Sequence, residues 1–169
     1  VLTLIGNYVL YVQSLHFIAA PVAQVVVQIA PVLLMLFSLW LFGERFTLLQ
    51  WGGFVLLVGG ITAFCLERLR VAVACMDIFS TGVGLMVIAA ILWAVYGVAQ
   101  KRLLLYLPSQ VVLMGIYLAS AVLMLPAASP AAIPALGATA HGLHAFLAAN
   151  TLVAYGAFAE ALNHWESSK

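Results

Sequence analysis

The sequence predicts an all-α membrane protein, a polytopic helical bundle of about six transmembrane helices. Three observations carry that prediction: where the charges fall, how long the runs between them are, and how little polar surface the chain has. The five carboxylates and six basic residues leave residues 1–43, 46–66, 78–100 and 103–159 without a single Asp, Glu, Lys or Arg. A charged side chain at a bilayer centre costs about 2.5–3.5 kcal/mol on insertion scales, so charges collect where a chain leaves the hydrocarbon. Here they collect at Glu44-Arg45, Glu67 to Arg70, Asp77 and Lys101-Arg102. With 66% apolar residues, 7% charged residues and a mean hydropathy of +1.20, the chain lacks the polar surface a water-soluble globule needs.

A helix crosses about 30 Å of hydrocarbon with about 20 residues, which turns the charge-free runs into spans. The run 1–43 holds two, divided at Ala19-Ala20-Pro21, because proline opens a helix well but disrupts its interior. Phe46 to Leu66 makes the third, and Gly82 to Gln100 with its flanks the fourth. The run 103–159 holds two more, separated by the proline-rich stretch from Pro126 through Pro130 to Pro134. Spans are therefore expected near 2–18, 21–42, 47–66, 82–102, 109–126 and 142–163.

Several function classes lose support. A formal charge of +1 offers no basic surface for nucleic acid and no polybasic lipid patch. Cys65 and Cys75 make neither a disulfide framework nor a metal pattern and read as free thiols. No G-x-S-x-G elbow, Walker phosphate loop or H-E-x-x-H occurs, so hydrolysis by those routes and direct ATP use lack residues, and no cofactor is expected. His141 and His144 form an H-x-x-H pair without a third ligand and read as surface or interfacial histidines.

Val1 is not a methionine, no basic n-region precedes the first apolar run, and the sequence stops just after a span. It reads as a piece of a longer polytopic protein. Positive residues divide four against two: Arg45, Lys101, Arg102 and Lys169 on one face, Arg68 and Arg70 on the other. The positive-inside rule then puts the Glu44-Arg45 loop and the N-terminus in the cytoplasm.

The order of motifs in the first half is Asn7-Tyr8-x-x-Tyr11, Ala30-Pro31-Val32, Leu41-Phe42-Gly43-Glu44-Arg45-Phe46, Gln50-Trp51-Gly52-Gly53 and Val58-Gly59-Gly60. It resembles the last three helices of an EamA-type repeat of the drug/metabolite transporter superfamily. Gly84, Ala89-Ala90, Trp93-Ala94-x-Tyr96 and Lys101-Arg102 are similar to the opening helix of a second repeat. The resemblance implies helices three to eight of ten, within an inverted five-plus-five helix repeat. Residues 1–70 would close the first repeat, 71–81 would link, and 82–169 would open the second. Tyr8 and Tyr155 stand 147 residues apart, as do Tyr11 and Phe158, Gln13 and Glu160, and Leu15 and Leu162. Five crossings between such pairs would make their helices run oppositely, as inverted-repeat carriers require. The resemblance also assigns structural roles to Pro31, to the turn Gly43, Glu44 and Arg45, and to Gly60.

Polar groups in lipid must face other helices or a cavity, so their spacing locates the interior seam. Asn7, Tyr11 and Ser14 share one stripe of the first span; Gln24, Gln28 and Pro31 share one of the second. For the second group two readings stand. Pro31 frees the Val27 carbonyl, which a glutamine amide could satisfy, or the kink opens a solute pathway lined by amides. Trp93, Tyr96 and Gln100 form an aromatic face with a polar tip, packing surface or cavity wall. Glu160 is the one carboxylate well inside an expected span. Its charged form is costly in hydrocarbon unless paired, so it is a candidate for proton coupling, with a bond to Asn163, His164 or a neighbouring helix as the structural alternative. Glycine pairs at 52–53 and 59–60, and Gly115 with Ala119, suggest close helix packing.

The expected function is secondary transport, as an exporter of small metabolites such as amino acids across the inner membrane by alternating access. The expected cavity residues are Asn7, Tyr11, Gln24, Gln28, Trp93 and Tyr96, with Glu160 for proton coupling. The partners are a small-molecule solute and the lipid bilayer, with a homodimer also open. The alternative is a non-transporting membrane subunit that packs against a partner.

Overall fold

The structure, a computed structural model, describes the backbone of residues 1–43, 47–74 and 78–164, with side chains throughout except at 65–74, 78, 131 and 132. Among the described residues all regular structure is helical: α1 (Leu2–Ser14), α2 (Ala20–Val26), α3 (Ile29–Phe42), α4 (Leu48–Ala74), α5 (Ile78–Leu104), α6 (Ser109–Met124) and α7 (Ala138–His164). Short 3₁₀ helices at Leu125–Ala127 and Pro130–Ala135 fill the proline-rich connection, since proline there denies an α-helix its hydrogen bonds. Glu44 and Arg45 lie outside the described residues.

Local chemistry sets the helix ends. Proline in the first turn opens α2 after an extended Ala19, as the sequence predicts. From Ala20 to Phe42 the chain makes one apolar span of 23 residues, interrupted only at Val27-Gln28. Pro31 has no N–H for the Val27 carbonyl, which accepts the Ala30 N–H instead at 2.9 Å, a tighter 3₁₀-type bond. Gly43 then ends α3 in the left-handed conformation at φ 65°, which a side chain would strain. At the start of α4 a capping box forms: the Gln50 side-chain Oε1 accepts the Thr47 backbone N–H at 2.7 Å and the Thr47 hydroxyl accepts the Gln50 backbone N–H at 3.3 Å.

Among the described residues four helices are long and apolar enough to cross a membrane: Ala20–Phe42, Phe79–Leu104, Ser109–Ala127 and Ala138–His164. Leu48–Phe64 is a shorter apolar helix. The 13 residues of α1 rise about 20 Å, and the expected span 2–18 stops at Ser14, where the chain tightens through turns to Ile18. In the expected linker 71–81 helix persists to Ala74 and resumes at Ile78. Glu67, Arg68 and Arg70 are good helix formers, so they end an apolar run without ending a helix.

The chain divides into two compact units, residues 2–99 and 100–165. The core of the first joins α1 and α2 to the first half of α5 through Ile18, Ala23, Val26, Met86 and Ala89. Close approach there runs through glycines that the sequence did not single out for it. A Cβ at Gly82 would lie 2.7 Å from both Phe17 Cβ and Ile18 Cγ2, one at Gly97 2.9 Å from Leu34, and one at Gly6 3.0 Å from Leu92. At Gly52, Gly53, Gly59, Gly60 and Gly115, where close packing was expected, a Cβ would meet nothing within 4 Å. Glycine pairs mark a smooth helix face, but the neighbour that reaches it is decided elsewhere. In the second unit α6 and α7 form an antiparallel pair.

The glycines make the packing testable. Phe17 contributes its Cβ and backbone carbon against Gly82, atoms that cannot swing aside, so Gly82→Ala should lower unfolding free energy in detergent by about 1 kcal/mol net of its helix-propensity gain. Gly84→Ala, facing open space, should be neutral or stabilising by up to about 1 kcal/mol. Equal melting temperatures for the two variants would contradict this packing.

Candidate functional site

The polar stripe of α1 faces inward as the sequence predicts. Leu4, Asn7 and Ser14 are buried, and Ser14 is completely so, its hydroxyl donating to the Tyr11 carbonyl at 2.7 Å. The Asn7 amide donates to the Ala89 carbonyl of α5 at 2.9 Å. This bond is buried and joins helices far apart in sequence. One turn further on, Tyr11 turns its hydroxyl to α2, where it accepts the Gln24 amide N–H at 2.9 Å. Unlike the Asn7 bond, this one is exposed.

Two of the candidates on the first two spans, Tyr11 and Gln24, thus come together, while Asn7 ties α1 to α5. Gln28 and Pro31 are exposed, and the interruption at Val27-Gln28 explains their separation from Gln24. A stripe drawn at 100° per residue assumes an unbroken α-helix, whereas a 3₁₀ turn advances about 120° per residue. Of the two readings left open for Gln24, the one in which it relieves the Val27 carbonyl gives way: that carbonyl takes the Ala30 N–H, and Gln24 serves Tyr11.

On α5 the positions Ala89, Trp93, Tyr96 and Gln100 follow one another at helical spacing. Ala89 is fully buried, Tyr96 is 3% exposed and Gln100 1%, with Trp93 partly covered. Trp93 and Tyr96 therefore belong to the inward face that also receives Asn7.

The second unit places Glu160 at the end of α7, half exposed, with a partner on each carboxylate oxygen. Ser109 Oγ donates to Oε2 at 2.6 Å and His164 Nε2 lies 2.9 Å from Oε1. Tyr117 donates to the Thr151 carbonyl at 3.4 Å further along the same helix pair. Eight residues separate Ser109 from Tyr117 and nine separate Thr151 from Glu160, the register antiparallel neighbours require. Ser109, 5% exposed, escaped the sequence reading. Its signal was the Pro108-Ser109 helix start, which means little until the hairpin places Glu160 opposite.

Metal chemistry finds no assembled site among the described residues, where no group of three His, Cys, Asp or Glu could hold an ion. His141 and His144 each turn Nδ1 to the carbonyl four residues back, at 3.2 and 2.7 Å. An open cleft of about 530 Å³ lies between Val25 of α2 and Gly53, Leu56, Gly60, Ile61 and Phe64 of α4. Its walls are apolar and include none of the candidate solute residues, so it is no match for the polar seam.

Comparison with known proteins supplies the context for this seam. The EamA-like transporter family matches residues 1–66 and 80–169. An uncharacterized transporter of Haemophilus influenzae is 35% identical over 169 residues, covering 100% of this chain and 55% of its own. An uncharacterized inner membrane transporter, YhbE of Escherichia coli K12, is 33% identical over 166 residues, covering 98% of this chain and 52% of its own. The chain thus spans about half the length of the curated relatives it matches. No solved structure matches it. A multi-pass helical membrane chain, matched over nearly its whole length, belongs to the EamA-like transporter family.

Proposed function

We propose that the protein containing this chain is a secondary transporter of the inner membrane that exports small metabolites such as amino acids by alternating access. The observation that carries the reading is the Tyr11–Gln24 bond, a hydroxyl and an amide meeting beside a proline-interrupted span. In hydrocarbon such groups must face protein or a polar cavity. Their bond is exposed, so a solute can compete for it. The relatives' names, transporter and inner membrane transporter, support the transport class and the membrane.

In this reading residues 1–70 and 82–169 belong to two inverted repeats joined through 71–81, with the N-terminus cytoplasmic. The repeats rock about a central site formed from Asn7, Tyr11, Gln24, Gln28, Trp93 and Tyr96, and solute binding shifts the balance between outward and inward states. Glu160 couples the cycle to protons. What supports that role is its setting: a carboxylate held between a hydroxyl on one helix and an imidazole one turn away can exchange a proton with either water or His164.

Transport by the full-length protein, reconstituted in liposomes with a labelled metabolite panel, tests the reading. Tyr11→Phe should raise KM about fivefold or more for transported solutes while leaving thermal stability within about 0.5 kcal/mol, since an exposed bond contributes little to folding. No uptake of any solute above protein-free liposomes would favour the membrane-subunit alternative. Glu160→Gln should flatten the dependence of transport rate on pH, since an amide neither takes up nor releases a proton. A pH profile identical to wild type removes Glu160 from coupling.

A further inference from the structure

Gln100 is 1% exposed, and neither the nitrogen nor the oxygen of its side-chain amide has a hydrogen-bond partner. The contrast with the other buried polar groups is sharp: Asn7 donates to a backbone carbonyl, Ser14 to its own helix and Ser109 to Glu160. Leaving both ends of a primary amide dry costs folding free energy, more than the single unpaired hydroxyl of Ser120 does. A leucine would fill similar space without the cost. The amide follows Trp93 and Tyr96 at helical spacing along α5, one turn before Leu104 ends the helix.

We infer that Gln100, the polar tip of the Trp93–Tyr96 face, is a solute-binding residue, taking a small uncharged or zwitterionic solute whose hydroxyl or carboxamide both donates and accepts. The amide offers two N–H donors and one carbonyl acceptor, which matches such a group and gives a bare carboxylate or an alkyl chain only part of a fit. Discrimination follows from the vacancy of the bonds. A site built to hydrogen-bond a solute group rejects the analogue that lacks it, because the buried amide is then left unpaired. The inference rests on the transport reading for its solute and on burial for its residue.

The test uses the full-length protein in liposomes with three labelled pairs: L-threonine with L-valine, L-serine with L-alanine, and L-glutamine with L-norleucine. Wild type should favour the polar member of at least one pair by about tenfold or more in kcat/KM, and Gln100→Leu should abolish that preference. Melting of the same two proteins in detergent is the second arm. Removing an unpaired buried amide should leave Tm equal or higher in Gln100→Leu. A lower Tm overturns the inference whatever the transport result, since it would mean that the amide holds the fold together. A preference absent in wild type, or unchanged in Gln100→Leu, also overturns it. Should wild type move none of the six solutes, the transport reading itself fails for this class and takes the solute-binding role of Gln100 with it, an outcome distinct from transport without preference.

Discussion

Hydrocarbon offers no hydrogen bonds, so each polar group that enters it must find a partner within the chain, and this single constraint organises what the helices do. Most polar side chains answer it locally. Ser14, Thr62 and Thr151 return their hydroxyls to carbonyls three or four residues back, and His144 turns to Ala140 in the same way. These bonds keep polar residues in an apolar helix without asking for a neighbour. Bonds that cross between helices, such as Asn7 to Ala89, Gln24 to Tyr11 and Ser109 to Glu160, are where sequence commits to tertiary structure.

The same constraint explains the interruption at Pro31. Losing one N–H would orphan the Val27 carbonyl in lipid, and the chain answers by tightening one turn so that Ala30 replaces the missing donor. The bond is kept while the direction of the helix face changes. Polar residues on either side of the turn, Gln24 and Gln28, are thereby directed differently, and only Gln24 joins α1. The span is thus interrupted without leaving the Val27 carbonyl unpaired.

Fold class and most helix boundaries were legible because charge exclusion and proline placement act locally, and the family through the order of its motifs: Pro21 opens α2, Gly43 closes α3, and Lys101-Arg102 sit in the last turn of α5. The inward stripe of α1 was legible for the same reason, since helical spacing alone groups Asn7 with Tyr11 and Ser14. Contacts between helices were not. Gly82 and Gly97 look no different in sequence from Gly53 and Gly60, yet the first two receive a neighbour's side chain and the last two border an open cleft. Ser109 became meaningful only once α6 and α7 were set antiparallel. The stripe that grouped Gln28 with Gln24 was drawn through a turn that is not α-helical.

Magnitudes separate the polar contacts that hold the fold from those available to a solute. Interhelical hydrogen bonds within membranes average about 0.6 kcal/mol, so neither the Asn7 bond nor the Gln24 bond is strong in itself. What differs is the cost of leaving it. Asn7 is 7% exposed, and releasing Ala89 would strand its buried amide at about 1–3 kcal/mol, while the Ala89 carbonyl keeps the N–H of its own helix. Gln24 is exposed, so parting from Tyr11 strands neither group if a solute hydroxyl or carboxylate takes the place of either. The exchange then changes the free energy little, the property the proposed solute site would need. Of the residues proposed for that site, Asn7 is in this accounting the costlier to release, and Tyr11 with Gln24 the easier.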